Sequence, residues 1–273
     1  MKACSESNDY CPVFFKWYKY TGLITNTVAS IAMQSPRAKP VRNLHYAALI
    51  GLLNRCSRLM LANVALSHEG LFGETTALID RCIFESCVKV QWLCLKASEE
   101  SFGRYTADGL KAELSLKCEI KTRITSGTGV VLPIEQRMLD SIERCLLVSE
   151  LSETQIADIK KLPDIATMLV ELGRDKLDYV VGQKIGSHYV HGTWLSLLFH
   201  YLEQDDDGMF HPRDHNIPTH VNQYVFIQLI VIDANKAFSA WLLNEPNATW
   251  LTNKLQFIKD ELLSTYREIV ANN

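Results

Sequence analysis

Apolar positions recur along this chain with the three-and-four spacing of an α-helix, and almost nowhere with the alternation of a strand. A first amphipathic segment runs from about Pro12 to Met33, where Ser35-Pro36 and Pro40 end it. A second, about Asn43 to Leu66, points Leu49, Leu52, Leu53, Leu59, Met60 and Val64 at a core, and His68-Glu69-Gly70 with Gly73 breaks it. The periodicity predicts a long third helix from about Thr75 to Ala97 and a fourth from about Thr106 to Thr122. Ser126–Gly129 reads as a loop. Pro133 opens a fifth helix that ends at Ser149, since proline is tolerated in a first turn, where its missing N–H has no partner to lose.

Short capped pieces follow around Ser152–Thr154 and Lys161–Asp164. Gly173 stops one helix, and Asp175 caps the next, which the pattern carries to about Glu203. A loop is expected from Gln204 to Thr219, then a strongly apolar helix from about His220 to Leu243. Pro246 marks a break before the last helix, Thr249 to Val270. The expected fold is all-α. Residues 1–40 are read as a peripheral N-terminal helix, and residues 41–273 as one multi-helix domain, for about eight to ten helices in all.

Composition narrows the function classes. An apolar content of 47% over 273 residues supports a large core. A formal net charge of −3, with no run of Lys or Arg, gives no global attraction to nucleic acid or to an anionic membrane. The longest apolar stretch, Val225–Ile232, is read as short of the about 20 residues a membrane span needs. The N-terminal residues lack a signal-type apolar region. A cytoplasmic protein with no membrane association is expected. The eight cysteines form no C-x-x-C pair, and the spacing of Cys82, Cys87 and Cys94 does not suit zinc, so buried reduced thiols are expected and no metal. P-loop, dinucleotide-binding and H-E-x-x-H motifs are absent, so no cofactor is expected.

Three polar groupings stand out. In ALIDRCIFESCVKVQWLCL, Arg81 and Glu85 share a helix face amid apolar residues. In DYVVGQKIGSHYVHGTWLSLLFHYL, Gln183, Ser187 and His191 recur every four residues, and Gly182 and Gly186 permit close approach of another helix or a ligand. Unpaired polar groups are costly in apolar surroundings. The two stripes are therefore expected to meet in one cluster of Arg81, Glu85, Tyr179, Ser187 and His191. It is either a structural lock or a site with Glu85 and His191 as catalytic groups. The third grouping is the loop EQDDDGMFHPRDHNIPTH, with Asp205, Asp206, Asp207, His211, Arg213, Asp214, His215 and His220. It matches no metal-ligand spacing.

Arg213-Asp214 followed by His220 resembles the R-x4-6-H motif of the HEPN superfamily of helical ribonucleases and toxins. That resemblance implies metal-independent RNA cleavage, with His220 moving protons, Arg213 stabilising the phosphorane charge, and a homodimer pairing two motifs. The motifs R-C-I-F-E at Arg81–Glu85 and S-H-Y-V-H-G-T at Ser187–Thr193 resemble an uncharacterised, mostly bacterial helical family, the domain of unknown function numbered fifty-six seventy-seven. It implies an all-helical fold over about Asn43 to Leu243 and no established activity. Two functions follow as expectations. One is a HEPN-like ribonuclease or toxin effector in bacterial antiviral defence, with RNA as substrate. The other is a non-enzymatic helical module that binds a partner protein, its polar cluster structural.

Overall fold

The computed structural model describes residues 11–69, 71–127, 129–213 and 217–271. They are overwhelmingly helical, with one short strand pair. In chain order the helices are α1 (Cys11–Ala29), α2 (Asn43–Glu69), α3 (Gly73–Lys96), α4 (Glu99–Ser126), α5 (Pro133–Ser149), α6 (Glu153–Asp158), α7 (Ile165–Glu171) and α8 (Lys176–Tyr179). A π-helical turn (Val180–Ile185) leads into α9 (Gly186–His191) and α10 (Trp194–His200). Strands β1 (Leu202–Gln204) and β2 (Phe210–Pro212) pair antiparallel, Glu203 opposite His211, before α11 (Val221–Leu242) and α12 (Asn247–Ala271).

The chain forms two compact units. Lys96–Asp164 makes one, and the described residues on either side of it make the other. In the smaller unit α4, α5 and α6 enclose Ala107, Leu110, Ile142, Leu146 and Ile156. The Lys117 ammonium is buried there and donates to the Glu153 carboxylate at 2.6 Å and to Glu143. Its helices start where their caps dictate. Ser98 and Ser101 form a reciprocal capping box at α4, which carries that helix about two turns upstream of Thr106.

The larger unit is built around α3, which buries Ile83, Phe84, Cys87, Val88, Val90, Trp92 and Leu93. Helix α1, placed at the periphery by the sequence pattern, packs along α2 and α11 and buries Phe14, Tyr18 and Val28. Of the core positions expected on α2, Leu49, Leu52, Leu53 and Met60 are buried, and Leu59 and Val64 are partly exposed. By length and composition, Asn43–His68 and Val221–Leu242 could each cross a membrane. The eight-residue stretch taken as longest in the sequence undercounts them, because it stops at interspersed polar residues. In α11 those residues are paired inside the protein. Thr21 Oγ1 donates to Gln228 Oε1 at 3.0 Å, and Asn235 Nδ2 donates to Thr25 Oγ1 at 2.8 Å. Asp233 accepts from Arg174 at 2.6 Å and from Lys259 at 2.7 Å.

The single helix expected from Asp175 to Glu203 does not form. Asp175 does cap its start, accepting from the Leu177 amide at 2.7 Å. The π turn then inserts an extra residue per turn, Gly192 takes φ 53° and ends α9, and the chain restarts as α10 and closes in β1. The cause is packing. A Cβ on Gly182 would lie 2.4 Å from the Phe84 ring, and one on Gly186 would lie 2.9 Å from Arg81 Cβ. The backbone of this segment therefore rests directly on α3. The loop expected from Gln204 holds a turn instead, in which Asp205 Oδ1 accepts from the Met209 amide at 2.8 Å. Asp214 and His215 lie outside the described residues.

Candidate functional site

The expected contact between the two polar helices exists, with different partners. Arg81 Nε donates to Glu85 Oε1 at 3.1 Å, and Gln183 Nε2 donates to the same oxygen at 3.0 Å. Phe84 meets Gly182 while Arg81 meets Gly186, so the segment runs antiparallel to α3. Further along, Ser196 Oγ donates to Glu74 Oε1 at 2.7 Å at the start of α3. His191 lies eight residues beyond Gln183, roughly 12 Å along the helix axis from Glu85, and it is exposed. Ser187 is half-buried, and the Tyr179 ring takes Lys184 Nζ at 5.9 Å from its centre. The five-residue cluster expected from four-residue spacing is thus replaced by Arg81, Glu85 and Gln183. The separation is axial: each four-residue step advances about 6 Å along the helix, so only the first polar residue of the stripe, Gln183, reaches Glu85.

Arg213 and His220 are both engaged locally. The Arg213 amide donates to the Tyr201 carbonyl at 2.9 Å, and its guanidinium lies 3.4 Å from the Leu202 carbonyl and 3.6 Å from Glu203. His220 is the N-cap of α11: its Nδ1 accepts from the Asn222 amide at 3.1 Å, and its own amide donates to Gln223 Oε1 at 2.8 Å. That reciprocal cap fixes the first turn of α11 and aims Gln223 at α3, where Gln223 Nε2 lies 3.5 Å from Asp80 Oδ2.

Asp80 is the residue the sequence pattern did not single out. It stands one position before Arg81 and is buried. Its Oδ1 accepts from Tyr18 Oη at 2.9 Å and from Asn63 Nδ2 at 2.7 Å. Three helices besides its own, α1, α2 and α11, each contribute one polar side chain to this carboxyl. Removal from water pushes its pKa from 3.8 up to about 7, against the lowering effect of the three donors. The Tyr18 phenol is pushed up as well, first by burial and then by the neighbouring Asp80 charge. The sequence carried one faint signal: Asp80, Tyr18 and Asn63 are polar residues inside helices that are otherwise predicted core.

Asp80 faces a cavity of about 230 Å³ between α3, the π turn with α9, and α11. Ala77, Val181, Phe226 and Ile227 supply apolar wall, and Gly182 and Gly186 let the backbone close one side. Arg81, Tyr189, Asn222 and Gln223 supply polar groups. Phe226 is held against Phe84 with ring centres 5.8 Å apart. Asn222 Oδ1 accepts from Tyr266 Oη at 3.0 Å. Two buried atoms around the Arg81–Glu85 pair have no hydrogen-bond partner, Arg81 Nη1 and Gln183 Oε1. An apolar pocket with a few convergent polar groups and a displaced carboxyl pKa is the arrangement expected of a small-molecule site.

No curated protein and no solved structure matches the chain. A family of unknown function (DUF5677) matches residues 46–209, from α2 through the turn between the strands. The match takes in Asn63, Asp80, Arg81 and the glycines at 182 and 186, while Tyr18 and Gln223 fall outside it. With more than half its length matched, the chain belongs to this family of unknown function, as the Arg81–Glu85 and Ser187–Thr193 motifs imply.

Proposed function

We propose that the chain is a helical binding module that takes a small, mostly apolar molecule into the cavity over Asp80. The observation that carries this reading is a cavity of about 230 Å³ whose lining joins apolar walls to the buried Asp80. A cavity of about 150 Å³ in an apolar core takes up a benzene ring, so this one suits one ring with a short substituent. The Arg81–Glu85–Gln183 contact serves as the structural lock that holds the π turn against α3. Thermal shift across a set of single-ring and short-chain compounds tests it, with Ala77→Leu as the filled-cavity control. A ligand at about 100 times its Kd stabilises by about 2.7 kcal/mol. Compounds that raise the melting temperature of the wild type and not of Ala77→Leu support the reading. Equal responses of both proteins contradict it.

A HEPN-like ribonuclease or toxin effector in antiviral defence, acting through Arg213 and His220, draws its support from the spacing of those two residues. The cap made by His220 and the strand contacts of Arg213 favour structural work for both. Loss of toxicity and RNA cleavage in Arg213→Ala and His220→Ala, with melting temperatures unchanged, would favour the ribonuclease instead.

A further inference from the structure

We propose that the ligand of this cavity is a small primary amine with an apolar one-ring body, its ammonium paired with the Asp80 carboxylate. This rests on the cavity being a binding site. Asp80 Oδ1 is turned toward α1 and α2, where Tyr18 and Asn63 donate to it, and neither of those residues lines the cavity. Asp80 Oδ2 is turned toward α11, where its neighbour is Gln223 Nε2 at 3.5 Å, and Gln223 does line the cavity. One oxygen is thus held from behind, and the other lies on the cavity side with a single long contact. Asp80 keeps 7% of its surface accessible, so the wall is not sealed over it.

What this carboxyl lacks is a cation. Its partners Tyr18, Asn63 and Gln223 are all neutral, and Arg81, the cation in the wall, is paired with Glu85. A buried carboxylate without a counter-charge is costly, which is why Asp80 holds its proton to about pH 7. A ligand ammonium brings both the missing charge and a donor for Oδ2, whereas an anionic ligand would add a second negative charge. Ala77, Val181, Phe226 and Ile227 suit the apolar body. When the ammonium enters below about pH 7, Asp80 gives its proton to water and the ion pair replaces the neutral acid. The charged and titratable groups around Asp80 are Tyr18 on α1, Tyr224 on α11, Tyr189 on α9 and Arg81 beside it, and α2 contributes the neutral Asn63. Burial pushes all three phenols up, so among these groups Asp80 is the one that changes charge between about pH 5 and 8.

Calorimetric titration of the full chain with benzylammonium, benzyl alcohol and benzoate separates the outcomes. The expected result is saturable binding of benzylammonium, roughly tenfold or more tighter than benzyl alcohol, with benzoate weakest. An alkylammonium stays charged to about pH 10, so the affinity for benzylammonium should rise about tenfold or more from pH 5 to 8 as Asp80 ionises, with benzyl alcohol flat. Asp80→Asn should remove both the preference and the pH dependence while leaving benzyl alcohol little changed. Benzyl alcohol or benzoate binding as tightly as benzylammonium overturns the amine assignment and leaves the cavity reading standing. An affinity for benzylammonium that is flat from pH 5 to 8 overturns the pairing with Asp80. No saturable binding of any of the three overturns the assignment, and if the thermal-shift set also fails, the cavity reading falls with it. The ligand series and its pH profile on the wild type decide the question even if Asp80→Asn folds poorly.

Discussion

At the scale of single residues, Asp80 sets the electrostatics of the larger unit. Its folded pKa of about 7 exceeds the ordinary 3.8, so the folded state holds a proton that the unfolded chain releases. The stabilisation from that difference is fully present below about pH 4 and is lost as pH rises to about 7, on the order of 4 kcal/mol in all. Asp80→Asn keeps an acceptor for Tyr18 and Asn63 and removes the titration. Thermal melts should therefore show wild-type stability falling from about pH 5 to 8 and a flatter profile for Asp80→Asn, which should be the more stable protein at about pH 8. A parallel fall in both would mean Asp80 titrates normally. Gly182 gives a second residue-level test. An added Cβ would sit 2.4 Å from the Phe84 ring, so Gly182→Ala should cost about 1–3 kcal/mol in urea unfolding. Gly182 was legible in the sequence as a point of close approach, and Asp80 was not conspicuous. A lone Asp within a helical apolar run reads as a surface position until the three helices that close on it are known. Arg81 and Glu85 were legible because four-residue spacing alone makes an ion pair.

At the scale of elements, most helices were readable and the segment after Asp175 was not. Proline at Pro133, the cap at Asp175 and the glycine stop at Gly173 act locally, within one turn, and local signals survive in a sequence. The π turn does not. It answers to Phe84 and Arg81, which lie about a hundred residues earlier. His220 belongs to this scale too, since its imidazole caps α11. His220→Ala should cost about 1 kcal/mol of stability, and His220→Asn should restore most of it, because asparagine is a strong N-cap. Chemical denaturation of the three proteins checks this. An asparagine variant as unstable as the alanine one would remove the capping role.

At the scale of the whole molecule, the all-α class followed from periodicity, while the division of the chain did not. The smaller unit, Lys96–Asp164, is an insertion between α3 and α7, and its own core gives no compositional break at either end. In the larger unit, α1 carries Tyr18 to Asp80, and α11 carries Gln223 to the same carboxyl, so segments far apart in the chain meet at one group of the cavity wall. Such convergence has no local signature, and it explains why the cavity was invisible before the fold. The central claim is that this cavity admits a ligand, and methyl-labelled NMR during titration with benzyl alcohol tests it most directly. The methyl groups of Ala77, Val181 and Ile227 line the cavity, and those of Leu110 and Ile142 lie in the core of the smaller unit. Saturable shifts of the first three, with the last two unmoved, are predicted. Absent shifts, or shifts spread over both sets alike, would contradict the account.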